Sequence, residues 1–256
     1  MLRRSLAALG VVAVSAVAFQ ALAQRFLNAV EWPIPPVVTP GKTDREAPSD
    51  AIVLFDGKGF EEWNGAKDWK ADEDGGFTAK GAIRTIKEFG DCQLHLEFAS
   101  PTPAKGKGQG RGNNGIGLLG GRYEIQVLDS FENETYPEGQ AASVYNQRPP
   151  MVNASRKPGE WQTYDIVFTP PRFDAEGKVS KPGYATVFHN GVLVQNHTEI
   201  LGYTYFDKET AYSKHPEKGP ITLMYHGDPV RFRNIWVREF KELEGKPRKK
   251  GVEGKP

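Results

Sequence analysis

Gln93-Leu94-His95-Leu96-Glu97-Phe98 alternates polar and apolar residues without a break. A two-residue period is that of a β-strand with one buried face, so Leu94, Leu96 and Phe98 are expected to face a core. Outward from this stretch, residues 52–55, 123–128, 164–168, 185–188, 221–225 and 232–240 are further β-rich runs, separated by Gly, Pro, Asn and Asp. His189-Asn190-Gly191-Val192 sets Asn-Gly between two of them. A type I′ turn needs two residues that tolerate positive φ, so this tetrapeptide predicts a hairpin. No window of about twelve residues carries a helical stripe. Many short strands with turn punctuation predict an all-β fold, an antiparallel sandwich or jelly roll.

The chain has 256 residues, with 33 Lys+Arg against 32 Asp+Glu and a formal charge of +1. That balance gives no overall field to attract nucleic acid or an acidic membrane, so neither is an expected partner. Hydrophobic content of 38% with 25% charged residues suits a globular protein with a large core and excludes disorder of the whole chain. The one cysteine, Cys92, can form no internal disulfide and no thiolate zinc cluster, and its strand-like neighbours offer no activating His.

Residues 1–23 read as an export signal: Arg3 and Arg4 are basic, residues 6–19 apolar, and Ala21-Leu22-Ala23 a small-x-small cleavage site. The apolar run falls short of the roughly twenty residues a spanning helix needs, so no stable membrane insertion is expected after cleavage. The expected location is periplasmic or secreted. Residues 24–50 are a Pro-rich leader with Pro33, Pro35, Pro36, Pro40 and Pro48, residues 51–240 one domain, and residues 241–256 a basic, disordered tail.

Gly110-Arg111-Gly112-Asn113-Asn114-Gly115 matches the dinucleotide fingerprint in spacing. That motif must open a helix, and the glycine-rich Ile116-Gly117-Leu118-Leu119-Gly120-Gly121 cannot start one, so the segment is expected to be a loop entering a strand. His95, His189, His197 and His215 lack the short spacing of a zinc site. Tyr123-Glu124-Ile125-Gln126-Val127-Leu128-Asp129 is more informative. Period two places Glu124 and Gln126 on one face, and a bulge after Gln126 would swing Asp129 to the same side. The spacing is that of the E-x-D-x-x-E strand of laminarinase-like retaining glycosidases, with Gln126 and Asp129 in place of the second and third carboxylates. The plainer reading is the polar side of an ordinary strand. His226-Gly227-Asp228 ends a later apolar run and Arg231-Phe232-Arg233-Asn234 opens the last, where loops at strand ends meet ligands.

Several ordered blocks together resemble one family. They are Leu54-Phe55-Asp56-Gly57-Lys58 with Trp63, residues 91–98, Asn113-Asn114-Gly115-Ile116, residues 123–129 with Tyr145 after them, Lys157-Pro158-Gly159-Glu160-Trp161-Gln162-Thr163-Tyr164, Asn190-Gly191-Val192, and His226-Gly227 through Ile235. The chain resembles the 3-keto-disaccharide (3-keto-glucoside) hydrolase domain, once called DUF1080, over residues 51–240. Arg122, Asn114 and Gln162 depart from the family's usual residues. The resemblance implies a concanavalin A-like jelly roll that cleaves glycosides whose C3 hydroxyl is already a ketone, with a sugar C3-dehydrogenase upstream. The ketone acidifies the C2 proton, so a base forms an enolate that expels the C1 oxygen, after which water adds. Such chemistry needs a base, an electrophile at the C3 oxygen and an acid for the leaving group. On the resemblance, Glu124 or His226 is the base, Arg233 with Gln126 stabilises the enolate, and Asp129 or Glu97 is a secondary acid or metal ligand. Glu97, Asn113, Tyr145, Trp161 and Arg231 are expected to touch substrate, and a divalent cation is a possible substitute for arginine. A conventional glycoside hydrolase and a non-catalytic carbohydrate-binding module are the competing readings.

Overall fold

The computed structural model describes residues 30–247. The expected signal segment lies outside them, as do the start of the leader and residues 248–256. Among the described residues no helix is long and apolar enough to cross a membrane.

Residues 38–240 form one compact unit, and regular helix in it is limited to two 3₁₀ turns, Gly108–Gly110 and Pro137–Gly139. Two antiparallel sheets make the all-β sandwich that the strand pattern predicts. The seven-stranded sheet runs in the order Val192–Ile200, Gly183–His189, Gln162–Thr169, Cys92–Ala99, Arg231–Glu239, Ile52–Phe55, with Phe77–Thr78 pairing on Arg231–Glu239. The five-stranded sheet runs Trp63–Asn64, Ile83–Phe89, Gly219–Leu223, Asn114–Leu118, Tyr123–Val127. Non-consecutive neighbours in both orders are the crossovers of a jelly roll.

Alternation decides what each sheet buries. Leu94, Leu96 and Phe98 are fully buried, and Phe98 lies in register with Phe232 on the neighbouring strand. From the other sheet come Ile116, Leu118, Tyr123, Ile125 and Val127, all in the same core. Tyr164 joins the layers, because its buried hydroxyl donates to the Gln126 carbonyl at 2.9 Å. His189 sits in this core and its Nε2 donates to Gln162 Oε1, 2.8 Å away; burial pushes its pKa down to about 3, so it stays neutral. Burial likewise pushes the Cys92 thiol up to about 12, which leaves it inert.

The Gly110–Gly115 segment opens no helix: Asn114–Leu118 is a strand, in register with Tyr123–Val127. At the ends, a short strand pair joins the start of the described leader to the last described residues of the tail. Val30–Glu31 pairs antiparallel with Lys246–Pro247 in a separate small unit. The leader prolines begin only after Glu31, and Pro247 closes the terminal pair, where a missing amide disturbs a ladder least. Residues 38–50 belong to the large unit. The Arg45 carbonyl accepts from Trp236 Nε1 and Asn234 Nδ2, both at 2.9 Å, and Arg238 clasps Asp50. Prolines bar ladder and helix bonds but leave such side-chain anchors open.

The Asn190-Gly191 hairpin is present, with His189 opposite Val192 and φ of 54° and 77° at the two turn residues. A Cβ at Gly191 meets nothing within 4 Å, so the cost of a side chain there is conformational alone. Gly191→Val is therefore expected to destabilise by about 1 kcal/mol or more and lower Tm by about 2–4 °C. A calorimetric melt unchanged by the substitution would show that the turn does not require positive φ.

Candidate active site

Period two along Tyr123–Val127 sends Tyr123, Ile125 and Val127 into the core and Glu124 and Gln126 to the outer face of the five-stranded sheet. In register opposite them stand Gly117 and Gly115. A Cβ at Gly115 would overlap the Glu124 carboxylate, so the bare backbone is what gives that side chain room. Here the glycine is a space requirement. The free edge of the strand is closed by residues 142–145: Gln126 N donates to Ser143 O, Ala142 N to Gln126 O and Tyr145 N to Glu124 O, at 2.9–3.0 Å. Tyr145 is thereby placed beside Glu124 by backbone bonds.

Above this face lies a cavity of about 330 Å³ lined by Glu124, Gln126, His226, Tyr145, Asn113 and Gln109, and also by Thr204, Phe206 and Met224. His226 Nε2 is 3.6 Å from Glu124 Oε1, an ion-pair separation. The Glu124 carboxylate holds the imidazole above its ordinary pKa of 6.5, burial opposes this, and Asp228 adds to it. Gln126 Nε2 donates to Gln109 Oε1 at 2.9 Å, whereas buried Gln126 Oε1 has no partner. An orphaned buried acceptor is costly, and the cavity it lines is where a ligand hydroxyl would satisfy it. Tyr145 and Tyr136 share a hydroxyl–hydroxyl bond of 2.6 Å, and burial raises the Tyr145 pKa, so its proton stays on. Asn113 is fixed by Asp228, which accepts from its amide N at 2.7 Å, and by its own Nδ2 on the Gln109 carbonyl at 2.8 Å.

Thus Glu124, Gln126, His226, Asn113 and Tyr145 line one cavity, and the other candidates named from the sequence do not. Asp129 is corrected. No bulge follows Gln126; Val127 and Leu128 are both buried, and the Asp129 carboxylate turns to Arg111 Nε at 2.6 Å, away from the cavity. The pair braces the loop that carries Asn113, since Arg111 also donates to the carbonyl of Phe131 at 2.7 Å. Arg233 is corrected too. Its neighbour Phe232 points into the core, so Arg233 lies on the outer face of the seven-stranded sheet, with the whole core between it and Gln126. There it pairs with Glu97 at 2.8 Å and lies 4.1 Å over the Trp161 ring. Arg231 joins them, 5.0 Å over Trp161 and bonded to Asp72 and Asp74. Glu97, Trp161, Arg231 and Arg233 are a mutually satisfied cluster remote from Glu124.

Sequence reasoning missed Gln109, Thr204, Phe206 and Met224. No motif marks them, although the aromatic run Tyr203-Thr204-Tyr205-Phe206 inside a loop was a legible signal. A divalent cation would find one carboxylate, Glu124, one imidazole, His226, and the free Gln126 oxygen. Among the described residues no group of three or more His, Cys, Asp or Glu is placed to hold an ion. One charged ligand is a poor match for a hard cation, and no step below is routed through a metal.

No curated protein matched the chain. Among solved structures, a candidate glycosyl hydrolase from Parabacteroides distasonis is 47% identical, with a TM-score of 0.77 over 82% of this chain and 94% of that one. Two further candidate glycosyl hydrolases from the same organism share the fold at 24% and 17% identity, with TM-scores of 0.52 and 0.55. They cover 74% and 80% of this chain and 99% and 100% of theirs. With a family model matching residues 50–238, the chain belongs to the 3-keto-alpha-glucoside-1,2-lyase-like domain family.

Proposed function

We propose that this protein cleaves the C1–oxygen bond of glycosides that carry a ketone at C3, by removing the C2 proton. The observation that carries the reading is the Glu124–His226 pair, a carboxylate and an imidazole 3.6 Å apart in one cavity beside an unengaged Gln126 oxygen. Glu124 takes the C2 proton. The C2–H electron pair moves to the C3 oxygen, where the His226 imidazolium meets the developing charge that the sequence reading gave to Arg233. Collapse of the enolate forms the C1–C2 double bond and expels the C1 oxygen, which takes a proton from the Tyr145 hydroxyl. Tyr136, bonded to Tyr145, relays a proton from solvent back to it. Water then adds across the double bond, or the unsaturated ketone leaves as product. Gln126 Oε1 accepts from a sugar hydroxyl and fixes the ring over Glu124.

The cavity argues against a conventional glycosidase. Retaining and inverting hydrolases place two carboxyl groups about 5–9.5 Å apart across the scissile bond. Glu124 is the one carboxylate lining this cavity. The reading also requires a preceding reaction that oxidises the C3 hydroxyl, and residues 3–23 lead us to propose that both steps serve an exported pathway.

Glu124→Gln is expected to lower kcat on a 3-keto-glucoside by roughly 10²–10⁴-fold while sugar binding changes by only a few-fold. Undiminished turnover in that variant would leave a carbohydrate-binding module as the better reading. Gly115→Ala is expected to lower kcat with little change in Tm, because its Cβ displaces the Glu124 carboxylate; wild-type kcat would mean that the carboxylate's position is immaterial. The pH profile separates the roles of the pair. As the electrophile, His226 must be protonated, so kcat/KM holds below its raised pKa and falls on an alkaline limb lying above 6.5. As the base it would have to be neutral, and the rate would rise with pH through the same region.

A further inference from the structure

One wall of the cavity is finished differently from the rest. Phe206 lines it, yet the residue is 77% exposed, and no aromatic ring among the described residues packs against it. Single exposed apolar side chains are common on protein surfaces. This one sits at the mouth of the cavity that holds Glu124 and His226, on a loop that is otherwise pinned. Tyr203 N donates to Ala211 O at 3.0 Å and Thr204 N to Arg122 O at 2.8 Å. Asn146 Nδ2 holds the Tyr205 carbonyl at 2.8 Å, and Gln147 Nε2 holds that of Gly202 at 3.0 Å. Gly202 has a φ of 152°, and a Cβ there would run into the Ala211 backbone. The same loop supports the catalytic strand, since Thr204 Oγ1 accepts from Glu124 N at 3.0 Å. A loop fixed on both sides of Phe206 presents the phenyl ring without the entropy cost of ordering it on binding.

Resting on the function proposed above, we propose that Phe206 is the stacking platform of the leaving-group subsite, and that the natural leaving group is a ring with a flat apolar face, a second pyranose or an aryl group. A keto-sugar ring seated over Glu124 and His226 sends its C1 substituent out of the cavity. Tyr145, the other aromatic residue in the lining, has its hydroxyl engaged by Tyr136 and a half-buried ring. Phe206 alone has an open face, and covering it with a second ring removes apolar surface from water and adds the offset-stacking preference of π faces.

The test compares methyl and p-nitrophenyl 3-keto-glucosides of one anomer with the full-length wild type, Phe206→Ala and Phe206→Trp. In the alanine variant the ratio of kcat/KM for p-nitrophenyl over methyl should fall about tenfold, mainly through KM, and the tryptophan variant should restore it. An unchanged ratio in the alanine variant would overturn the platform. Should the wild type turn over neither keto substrate, the function proposed above fails, and the platform is then decided by binding alone. An NMR titration with p-nitrophenyl glucoside that is weaker by about tenfold in Phe206→Ala would uphold it, and equal affinity would overturn it.

Discussion

The strict alternation along Tyr123–Val127 is the constraint on which the site depends. Three side chains of that strand are fully buried against the opposite sheet, and Tyr164 adds a hydrogen bond to the carbonyl between them. A slip of one residue would push Glu124 and Gln126 into an apolar core at a cost of several kcal/mol for the unpaired carboxylate alone. Core packing therefore fixes the direction of the Glu124 and Gln126 side chains. Gly115 on the neighbouring strand then determines whether the Glu124 side chain has space to work.

The site built on that strand is economical in charge. One carboxylate and one imidazole share the cavity, the carboxylate raising the pKa of the imidazole, and the remaining groups are neutral donors and acceptors. This composition suits proton removal beside an existing carbonyl, where negative charge has to be absorbed at one oxygen. It suits direct displacement at C1 poorly, because that needs a nucleophile and a separate acid on opposite sides of the bond. The acidic candidates that seemed to supply the second group have other partners. Asp129 is committed to Arg111, and Glu97 to Arg233 on the far face of the sandwich.

What the sequence made legible follows the range over which each signal acts. Period two and turn chemistry are local, so the Cys92–Ala99 and Tyr123–Val127 strands and the Asn190-Gly191 hairpin could be read directly. The same local pattern put Glu124 and Gln126 on one face. Arg233 was misplaced for a non-local reason: its spacing from Phe232 was readable, but which sheet its strand joins depends on pairing with Cys92–Ala99, well over a hundred residues earlier in the chain. Asp129 was misplaced because a bulge was inferred where the strand simply ends and turns to meet Arg111. Phe206 escaped notice because the aromatic run of its loop, though legible, does not say which cavity the fold brings to it.

The central claim is that the first bond to break is C2–H. It is tested most directly by incubating the protein with a 3-keto-glucoside in deuterium oxide and following C2 by NMR and mass spectrometry. The mechanism predicts that deuterium enters C2, in the product or in recovered substrate, that incorporation accompanies or precedes release of the aglycone, and that the unoxidised glucoside is inert. Complete cleavage of the keto substrate with the original C2 proton retained throughout would contradict it.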